Sequence, residues 1–465
     1  MGVLLIGAHL SLSLLSRRFA YGTPFAERPV LWTALVMVAA GAVYLLAVAS
    51  IPRTPDTGSA LGWAFAVGLA ARLVLLPSTP ILEDDHYRYL WDGGVVAHGQ
   101  NPYVWSPEAV HAAAESGDSA VPEGLRILAW QSGLVIQRVN HPYIRTIYPP
   151  VAQAAFALAH RLCPWSLTAW RAVVLLFDGA TLVLLLLLLR QVGRPLLWAT
   201  VYWWNPLIVK EFLNSAHMDA VVLPFLLGAV LLSLRGRHVP AACSLALAAG
   251  AKVWPVLLLP LLLRPLLSHP RKLATASLAF AGLTVALYWP MLRGGFGHDA
   301  GAVAYGRVWE MNDALFMVFS WLARAALKLV HADPDLAGLT ARLAVAGIVL
   351  ALALWVAWAR PADGSDLCRR CLIVVAALFL LSPTQFPWYY AWLVPLLALR
   401  PQPSLLLLTA VLPLYYVRFR LAAMGEARIF DYGIVWLEYA PVWALLLWEM
   451  FRARVGRRAP GACVA

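Results

Sequence analysis

Long apolar runs separated by short polar segments recur along the whole of this 465-residue chain. The runs cover residues 2–15, 30–51, 61–77, 151–163, 167–189, 196–209, 220–234, 239–263, 273–291, 314–330, 339–359, 372–381, 388–399, 405–417 and 434–451. A helix needs about 20 apolar residues to cross a hydrocarbon core of about 30 Å, and several runs are shorter. The pattern therefore predicts an all-α polytopic membrane protein with about 11 to 13 crossings, the remaining runs being re-entrant or interfacial helices.

Composition supports the same class. Hydrophobic residues make up 61% of the chain and charged residues 13%, which is more apolar surface than a soluble protein of this length can bury. The net charge of +12 comes from Arg residues in short loops between apolar runs, as the positive-inside rule expects of cytoplasmic loops. A nucleic-acid partner is not indicated, because no polar domain concentrates the positive charge. We expect one integral membrane domain over residues 1–465.

Metal and redox chemistry have little support in the sequence. The five cysteines are scattered at positions 163, 243, 368, 371 and 463. Cys368 and Cys371 form a CxxC pair, but no second pair and no nearby His ligand accompany it. No metal site is predicted from these residues.

The loop over residues 78–147 carries eight acidic residues against four Arg, a third of the 24 acids in the chain. This composition predicts a large outer, periplasmic loop, with the basic loops on the cytoplasmic side. Keeping every basic loop inside requires residues 239–263 to turn back around Lys252 and Pro255. It also requires residues 314–330 to lie flat on the outer surface, and one of the runs 151–163 and 167–189 not to span fully.

The outer loop begins with three adjacent acids, Glu83, Asp84 and Asp85, in a chain with little charge elsewhere. A carboxylate held near a sugar hydroxyl can act as its base. Asp84 and Asp85 are adjacent and point in different directions in most backbones, so only one is expected to do so. The aromatic residues that follow, among them Tyr87 and Trp91, are typical of sugar-stacking surfaces. The alternatives are acids that offset a helix dipole and aromatics that anchor a membrane interface.

Two further polar features interrupt apolar runs. Lys252 lies in an Ala- and Leu-rich run just before Pro255, and a cation at membrane depth usually has a partner, for which a lipid phosphate is suitable. The alternative is a Lys that extends to the cytoplasmic interface. Residues 210–219 contain Lys210, Glu211, His217 and Asp219; they are either part of a site or a polar connecting turn with a helix cap.

The sequence contains neither a GxxxxGK[ST] phosphate loop nor a Rossmann fingerprint. An outward-facing site is not normally supplied with nucleotides. An activated sugar at such a site would therefore have to be carried by a lipid.

The first outer loop resembles that of GT-C glycosyltransferases. The residues that carry this resemblance are Asp84, Tyr87, Asp92, Gly99, Asn101-Pro102-Tyr103 and Tyr148-Pro149-Pro150. The chain is more similar to bacterial polyprenol-phosphate-mannose-dependent transferases of glycosyltransferase family 87. The similar segments are residues 84–93, 204–207, 215–219, 252–255 and 382–389, so the resemblance covers roughly residues 61–399. The family pattern has an acid–x–acid pair, and in this chain His86 stands in place of the second acid unless Asp85 serves instead. The identity of the base and a requirement for a divalent cation therefore stay open.

The resemblance implies a GT-C-like helical bundle that transfers a hexose, mannose in this family, from a polyprenyl-phosphate donor with inversion. Asp84 would be the base and Asp85 a helper or the alternative base. The donor phosphate would be held by Lys252, Arg88 and His217. Sugar and acceptor would be bound by Tyr87, Trp91, Asp92, Asn101 and Tyr103. The acceptor, a glycan, a lipid or a protein, is not specified.

The resemblance and the Ala-, Leu- and Arg-rich composition also imply a bacterial cytoplasmic membrane, with the active site in the outer loop of residues 78–147. One alternative is a transporter or flippase for lipid-linked sugars, which would share the apolar bundle and the intramembrane Lys. Against it, no inverted repeat is detectable and the polar motifs fall on one side. Another alternative is a polysaccharide polymerase, but its large loop would come later in the chain.

Overall fold

The computed structural model describes the backbone of residues 1–458 and the side chains of residues 1–306 and 309–453. Cys463 lies outside the described residues. Over this part of the chain every regular element is helical, and one isolated bridge joins Met311 to Thr384. This confirms the predicted all-α class.

Within residues 1–458 the fold contains seventeen helices of eight or more residues. They are α1 (Gly2–Ser16), α2 (Val30–Ser50), α3 (Gly58–Leu75), α4 (Asp85–Ala97), α5 (Pro107–Ser116), α6 (Glu123–Ser132), α7 (Pro150–Leu162), α8 (Leu167–Gln191), α9 (Val222–Leu234), α10 (His238–Ala251), α11 (Pro270–Gly294), α12 (Gly301–Val308), α13 (Ala314–Leu329), α14 (Ala337–Trp358), α15 (Gly364–Leu381), α16 (Pro403–Val411) and α17 (Val435–Arg458). Shorter helices and turns connect them.

Seven helices in the described part of the chain are long and apolar enough to cross a membrane. They cover Val30–Arg53, Gly58–Leu75, Leu167–Gln191, Pro270–Gly294, Pro334–Trp358, Pro403–Ala423 and Ala427–Ala453. The pair Pro206–Asn214 and Met218–Leu234, bent by 106°, would make eight. The count is lower than the predicted 11 to 13 because the other apolar runs form helices too short, or too charged, to meet the length and composition of a span.

The helix α7 is one of these short elements. It has 13 residues, which give a length of roughly 20 Å, and it packs against α4 in the loop over residues 78–147. We call this loop the outer loop, after its predicted side of the membrane. The following α8 has 25 residues and meets the length of a span. The sequence predicted that one of the runs 151–163 and 167–189 does not span the membrane fully. Of these two, α8 has the length of a span and α7 does not.

The segment from α10 to Leu266 doubles back on itself. His238 at its start and Pro265 near its end line the same cavity, while Lys252 lies at the break after α10. We call this segment, residues 238–266, the hairpin. Its shape agrees with the turn that the sequence predicted around Lys252 and Pro255.

The loop over residues 78–147 folds into a small helical layer with its own apolar core. Side chains from α4, α5 and α6 form this core, including Trp91, Val110 and Leu125. The helix α4 lies close against α7: a Cβ at Gly93 would come within 2.5 Å of the Phe156 carbonyl oxygen. Only glycine allows this approach, which sets the position of α4 and of the acids at its start.

Candidate active site

The acids at the start of α4 are joined by one amide. The Asn140 Nδ2 atom donates to Asp84 Oδ1 at 2.9 Å and to Asp85 Oδ1 at 2.7 Å. Asn140 lies at the end of the outer loop, 55 residues along the chain from Asp85. Its two donated hydrogen bonds stabilise two neighbouring carboxylates that would otherwise repel each other.

The protonation of these acids differs with their surroundings. Desolvation by burial raises the pKa of Glu83 well above its usual range. Desolvation and the neighbouring Asp85 carboxylate raise the pKa of Asp84 to about 6, although this side chain keeps an open surface. A carboxylate with a pKa near 6 is ionised at neutral pH and still basic enough to accept a proton in catalysis.

The second carboxylate oxygen of Asp85 faces the membrane bundle. Tyr89 and Tyr148 each donate a hydroxyl hydrogen bond of 3.4 Å to Asp85 Oδ2. The Nδ1 atom of His217 lies 3.8 Å from the same oxygen. Asp85 therefore connects the outer loop to the segment between Pro206 and Leu234.

His217 lies between two acids at the bend of that segment. Its Nε2 atom is 3.4 Å from Glu211 Oε2, and its ring stacks on Trp388 with centroids 4.0 Å apart. Glu211 is also 3.2 Å from Lys210 Nζ and accepts a hydrogen bond from Tyr416. The 106° bend brings these polar groups of residues 210–217 together at one place.

Lys252 lies at the tip of the hairpin in an aromatic cage. Its Nζ is 2.7 Å from Asp219 Oδ1, 3.8 Å from the ring centroid of Tyr389 and 4.8 Å from that of Trp392. Trp392 Nε1 donates to the same Asp219 oxygen at 2.6 Å. The ion pair and the two ring faces stabilise a cation at this depth.

Exposure separates the groups that a substrate can reach from those that support them. The side chains of Asp85 and Lys252 are 22% and 21% exposed, whereas those of His217 and Glu211 are 0% exposed and that of Asp219 is 2% exposed. Asp84 is more open than any of these. Among these five groups and Asp84, the accessible charges are two carboxylates and one ammonium group.

The family model of the alpha-(1->6)-mannopyranosyltransferase N-terminal domain, in the MptA_B family, matches residues 1–267. The chain belongs to this family. The match spans Asp84, Asp85, His217 and Lys252, and it confirms the mannosyltransferase resemblance drawn from the motifs. No curated protein and no solved structure matches the chain.

The candidate site therefore combines four parts of the chain that are distant in sequence: the loop over residues 78–147, residues 210–219, Lys252 and residues 388–392. The sequence predicted Asp84, Asp85, His217 and Lys252 as site residues, and the structure brings them to one region. The sequence did not single out Asn140, Glu211, Asp219, Tyr389 or Trp392. Four of these residues lie in segments 210–219 and 382–390 or directly after them. These segments could be recognised in the sequence because they carry many polar and aromatic residues between apolar runs.

Arg88 and Tyr87 lie beside the site in supporting positions. Arg88 is buried, and its Nη2 atom donates to the carbonyl oxygens of Asn140 and His141 at 3.3 and 2.9 Å. It thus holds the backbone that carries Asn140. The Tyr87 hydroxyl accepts a 3.1 Å hydrogen bond from Arg138.

The remaining predicted sugar-binding residues make contacts within the fold. Asp92 accepts a 3.0 Å hydrogen bond from Gln153, and Asn101 donates to the Pro290 carbonyl at 2.9 Å. The buried Tyr103 hydroxyl donates to the Tyr148 carbonyl at 2.7 Å. These bonds order the outer loop around Tyr148, which itself contacts Asp85. Their direct part in sugar binding stays a prediction.

Trp91 lies in the apolar core of the outer loop, 2% exposed, with its ring stacked 6.3 Å from Trp165. We expect Trp91→Ala to lower the free energy of unfolding of the outer loop by about 3–5 kcal/mol, because it leaves a large cavity. Limited proteolysis of residues 78–147 measures this effect. A Trp91→Ala protein with wild-type protease resistance but a raised donor KM would instead favour the predicted sugar contact.

The motifs left open whether the protein requires a divalent cation. Hard cations need several oxygen ligands. Among the described residues, no three His, Cys, Asp or Glu side chains come together in an arrangement that could hold a metal ion. We therefore derive no step through a metal.

Proposed function

We propose that this mannosyltransferase moves mannose from a polyprenyl-phosphate donor to a hydroxyl acceptor at the outer face of the cytoplasmic membrane. The observation that carries the proposal is the position of Lys252. Its ammonium group lies in the same site as two accessible carboxylates, caged by Asp219, Tyr389 and Trp392. A cation among apolar helices suits the phosphate of a donor that reaches the site through the bilayer.

The reaction is a direct displacement at the anomeric carbon. The acceptor oxygen forms a bond to C1 while the bond from C1 to the phosphate oxygen breaks, and the electron pair leaves with polyprenyl phosphate. The acceptor proton passes to a carboxylate. Attack opposite the leaving group inverts the anomeric centre, and the family description suggests an α(1→6) linkage in the product.

We assign the base to Asp84. It is the more exposed of the two carboxylates, and its pKa of about 6 allows it to accept a proton at neutral pH. Asp85 is held by Asn140, Tyr89 and Tyr148. We propose that Asp85 orients the acceptor or the donor sugar, which makes it the helper in this pair.

Lys252 stabilises the leaving phosphate. Negative charge develops on the bridging oxygen as the bond to C1 breaks, and a fixed cation there lowers the barrier without reorganising. Asp219 and Trp392 hold the ammonium group in place. Arg88 donates its hydrogen bonds to main-chain carbonyls, so we propose for it a role in holding Asn140 instead of binding phosphate.

The outer loop over residues 78–147 carries the base, and we propose that it is the catalytic part of a single membrane domain. Its excess of acidic residues supports an outward position. The bacterial cytoplasmic membrane is likewise our proposal, from the motifs and composition.

The reaction is tested with purified protein, labelled polyprenyl-phosphate mannose and a panel of glycan, lipid and peptide acceptors. We expect labelled mannose to appear in an acceptor and free polyprenyl phosphate in equal amount. Guanosine diphosphate mannose is the matched control donor and should not react. Wild-type turnover in both Asp84→Asn and Asp85→Asn proteins would contradict the mechanism.

His217 gives a separate prediction. Both of its ring nitrogens face acids, so we propose that it positions Asp85 instead of binding phosphate. His217→Phe keeps a ring against Trp388 and removes both nitrogens, and we expect kcat to fall about 10- to 100-fold with donor KM unchanged. Steady-state kinetics at varied donor concentration separate the two constants. A rise in donor KM with unchanged kcat would assign His217 to the donor instead.

A further inference from the structure

A second charged region lies at the end of the hairpin away from the active site. A cavity of about 830 Å³ opens there between the starts of α10 and α11. Four cationic side chains line it: Arg237, Arg271, Lys272 and Arg360. The 14 residues of α10 separate the cavity from Lys252 by roughly 20 Å. It is therefore distinct from the site around Asp84 and Asp85.

These four cations have no acidic partners. None of them forms a salt bridge with any side chain that the structure describes. Nearby Arg369 and Arg370, in contrast, both pair with Asp366. Asp363 lines a smaller adjoining cavity of about 250 Å³, but its carboxylate accepts from the Asp366 amide and caps α15. The larger cavity therefore concentrates uncompensated positive charge.

The backbone adds to this charge. Both α10 and α11 begin at the cavity, and neither has a side-chain hydrogen bond that caps its first turn. The start of a helix carries a partial positive charge that disfavours neighbouring cations. Arg271 and Lys272 nevertheless lie in the first turn of α11. An anion in the cavity would offset the repulsion among these groups and satisfy the free backbone N–H groups.

We propose that this cavity binds a phosphate-bearing anion, the headgroup of an anionic membrane lipid. Apolar side chains line the cavity beside the cations, namely Val239, Pro240, Pro265 and Leu266. A charged rim next to an apolar wall fits an amphiphile better than a free phosphate. Basic pockets between membrane helices are suited to lipids with multiple negative charges. The positive-inside rule accounts for basic loops, but it does not require them to line one open cavity together.

The test titrates the purified full-length protein, in uncharged detergent, with cardiolipin and counts bound lipid by native mass spectrometry. The cavity variant is Arg237→Gln/Arg271→Gln/Arg360→Gln. The matched control, Arg53→Gln/Arg190→Gln/Arg235→Gln, removes three exposed cations that do not line the cavity. We expect the cavity variant to lose roughly 100-fold in cardiolipin affinity, about 1 kcal/mol for each cation, and the control to stay within about threefold of wild type.

A parallel titration with inorganic pyrophosphate distinguishes the two sources of phosphate. Pyrophosphate binding that the cavity variant alone loses, without cardiolipin binding, would assign the site to a soluble anion. Equal cardiolipin and pyrophosphate binding by all three proteins would overturn the proposal. If the triple variant does not purify as a monodisperse protein, the single variant Arg360→Gln replaces it. Arg360→Gln should lower cardiolipin affinity about fivefold. An unchanged cardiolipin affinity of this single variant would also overturn the proposal.

Discussion

Replacing Asp84 by Asn is expected to lower kcat by about 10²- to 10⁴-fold, because an amide cannot accept the acceptor proton. The substitution keeps the size of the side chain and its place beside Asn140 at the start of α4. Donor affinity should be unchanged, since Lys252 and its cage lie on other segments. The measurement is steady-state transfer of labelled mannose together with a direct binding assay for the lipid donor.

Asp85→Asn is the matched comparison. We expect it to weaken substrate orientation and so to change KM as well as kcat, because Asp85 is bonded to Asn140, Tyr89 and Tyr148. If Asp85→Asn loses all turnover while Asp84→Asn keeps most of it, the base is Asp85 and our assignment is wrong. The sequence left both carboxylates as candidates for the base.

The pH dependence provides an independent check on the base. The pKa of Asp84 is raised to about 6, and the ionised form is the active one. The kcat/KM value should therefore be half its maximum near pH 6, rise to a plateau above pH 7, and fall about tenfold per pH unit below pH 5. In the Asp84→Asn protein the residual rate should lose this titration. A wild-type profile that is flat between pH 5 and 8 would argue against Asp84 as the base.

The second large effect is expected at Lys252. Lys252→Ala removes the cation that offsets charge on the leaving phosphate, and we expect kcat/KM to fall about 10²- to 10³-fold with most donor affinity lost. Lys252→Arg keeps the charge and should retain part of both. Lys328→Ala, which removes an exposed Lys on α13, is the control and should behave as wild type. Donor binding and transfer are measured for all three proteins.

Thiol labelling of Lys252→Cys tests the position of the hairpin tip in the membrane. We expect the thiol to be shielded from a membrane-impermeant reagent added on the cytoplasmic side, because the tip lies at the far end of α10 from the basic cavity. Ready labelling from the cytoplasm only, together with an active Lys252→Ala protein, would show that Lys252 extends to the inner interface. The phosphate role and the topology of the hairpin would then both be wrong.

Much of the site could be anticipated because its main charges stand out in an apolar chain. Lys252 interrupts apolar sequence where a charge is costly, and that cost indicates a partner or a function. Asp84 and Asp85 stand out as adjacent acids that follow an apolar run. Trp91 and Tyr103 were selected on the same local pattern, yet both are buried by contacts within the fold. Local sequence does not distinguish an aromatic that faces a sugar from one that packs in a small core. The contacts with Trp165 and with the Tyr148 carbonyl are seen only in the structure.

The sequence by itself determined the all-helical membrane class, the acidic character of the loop over residues 78–147 and the turn at Lys252, because hydrophobic period and isolated charges are local properties. The described residues contain seven helices of spanning length against 11 to 13 predicted crossings, since an apolar run does not reveal whether its helix stays straight or bends by 106° after nine residues. The tertiary structure alone decided which charges meet. Asn140 reaches Asp84 and Asp85 across the outer loop, and Asp219 reaches Lys252 across 33 residues. Such contacts depend on how helices pack, which no local pattern specifies.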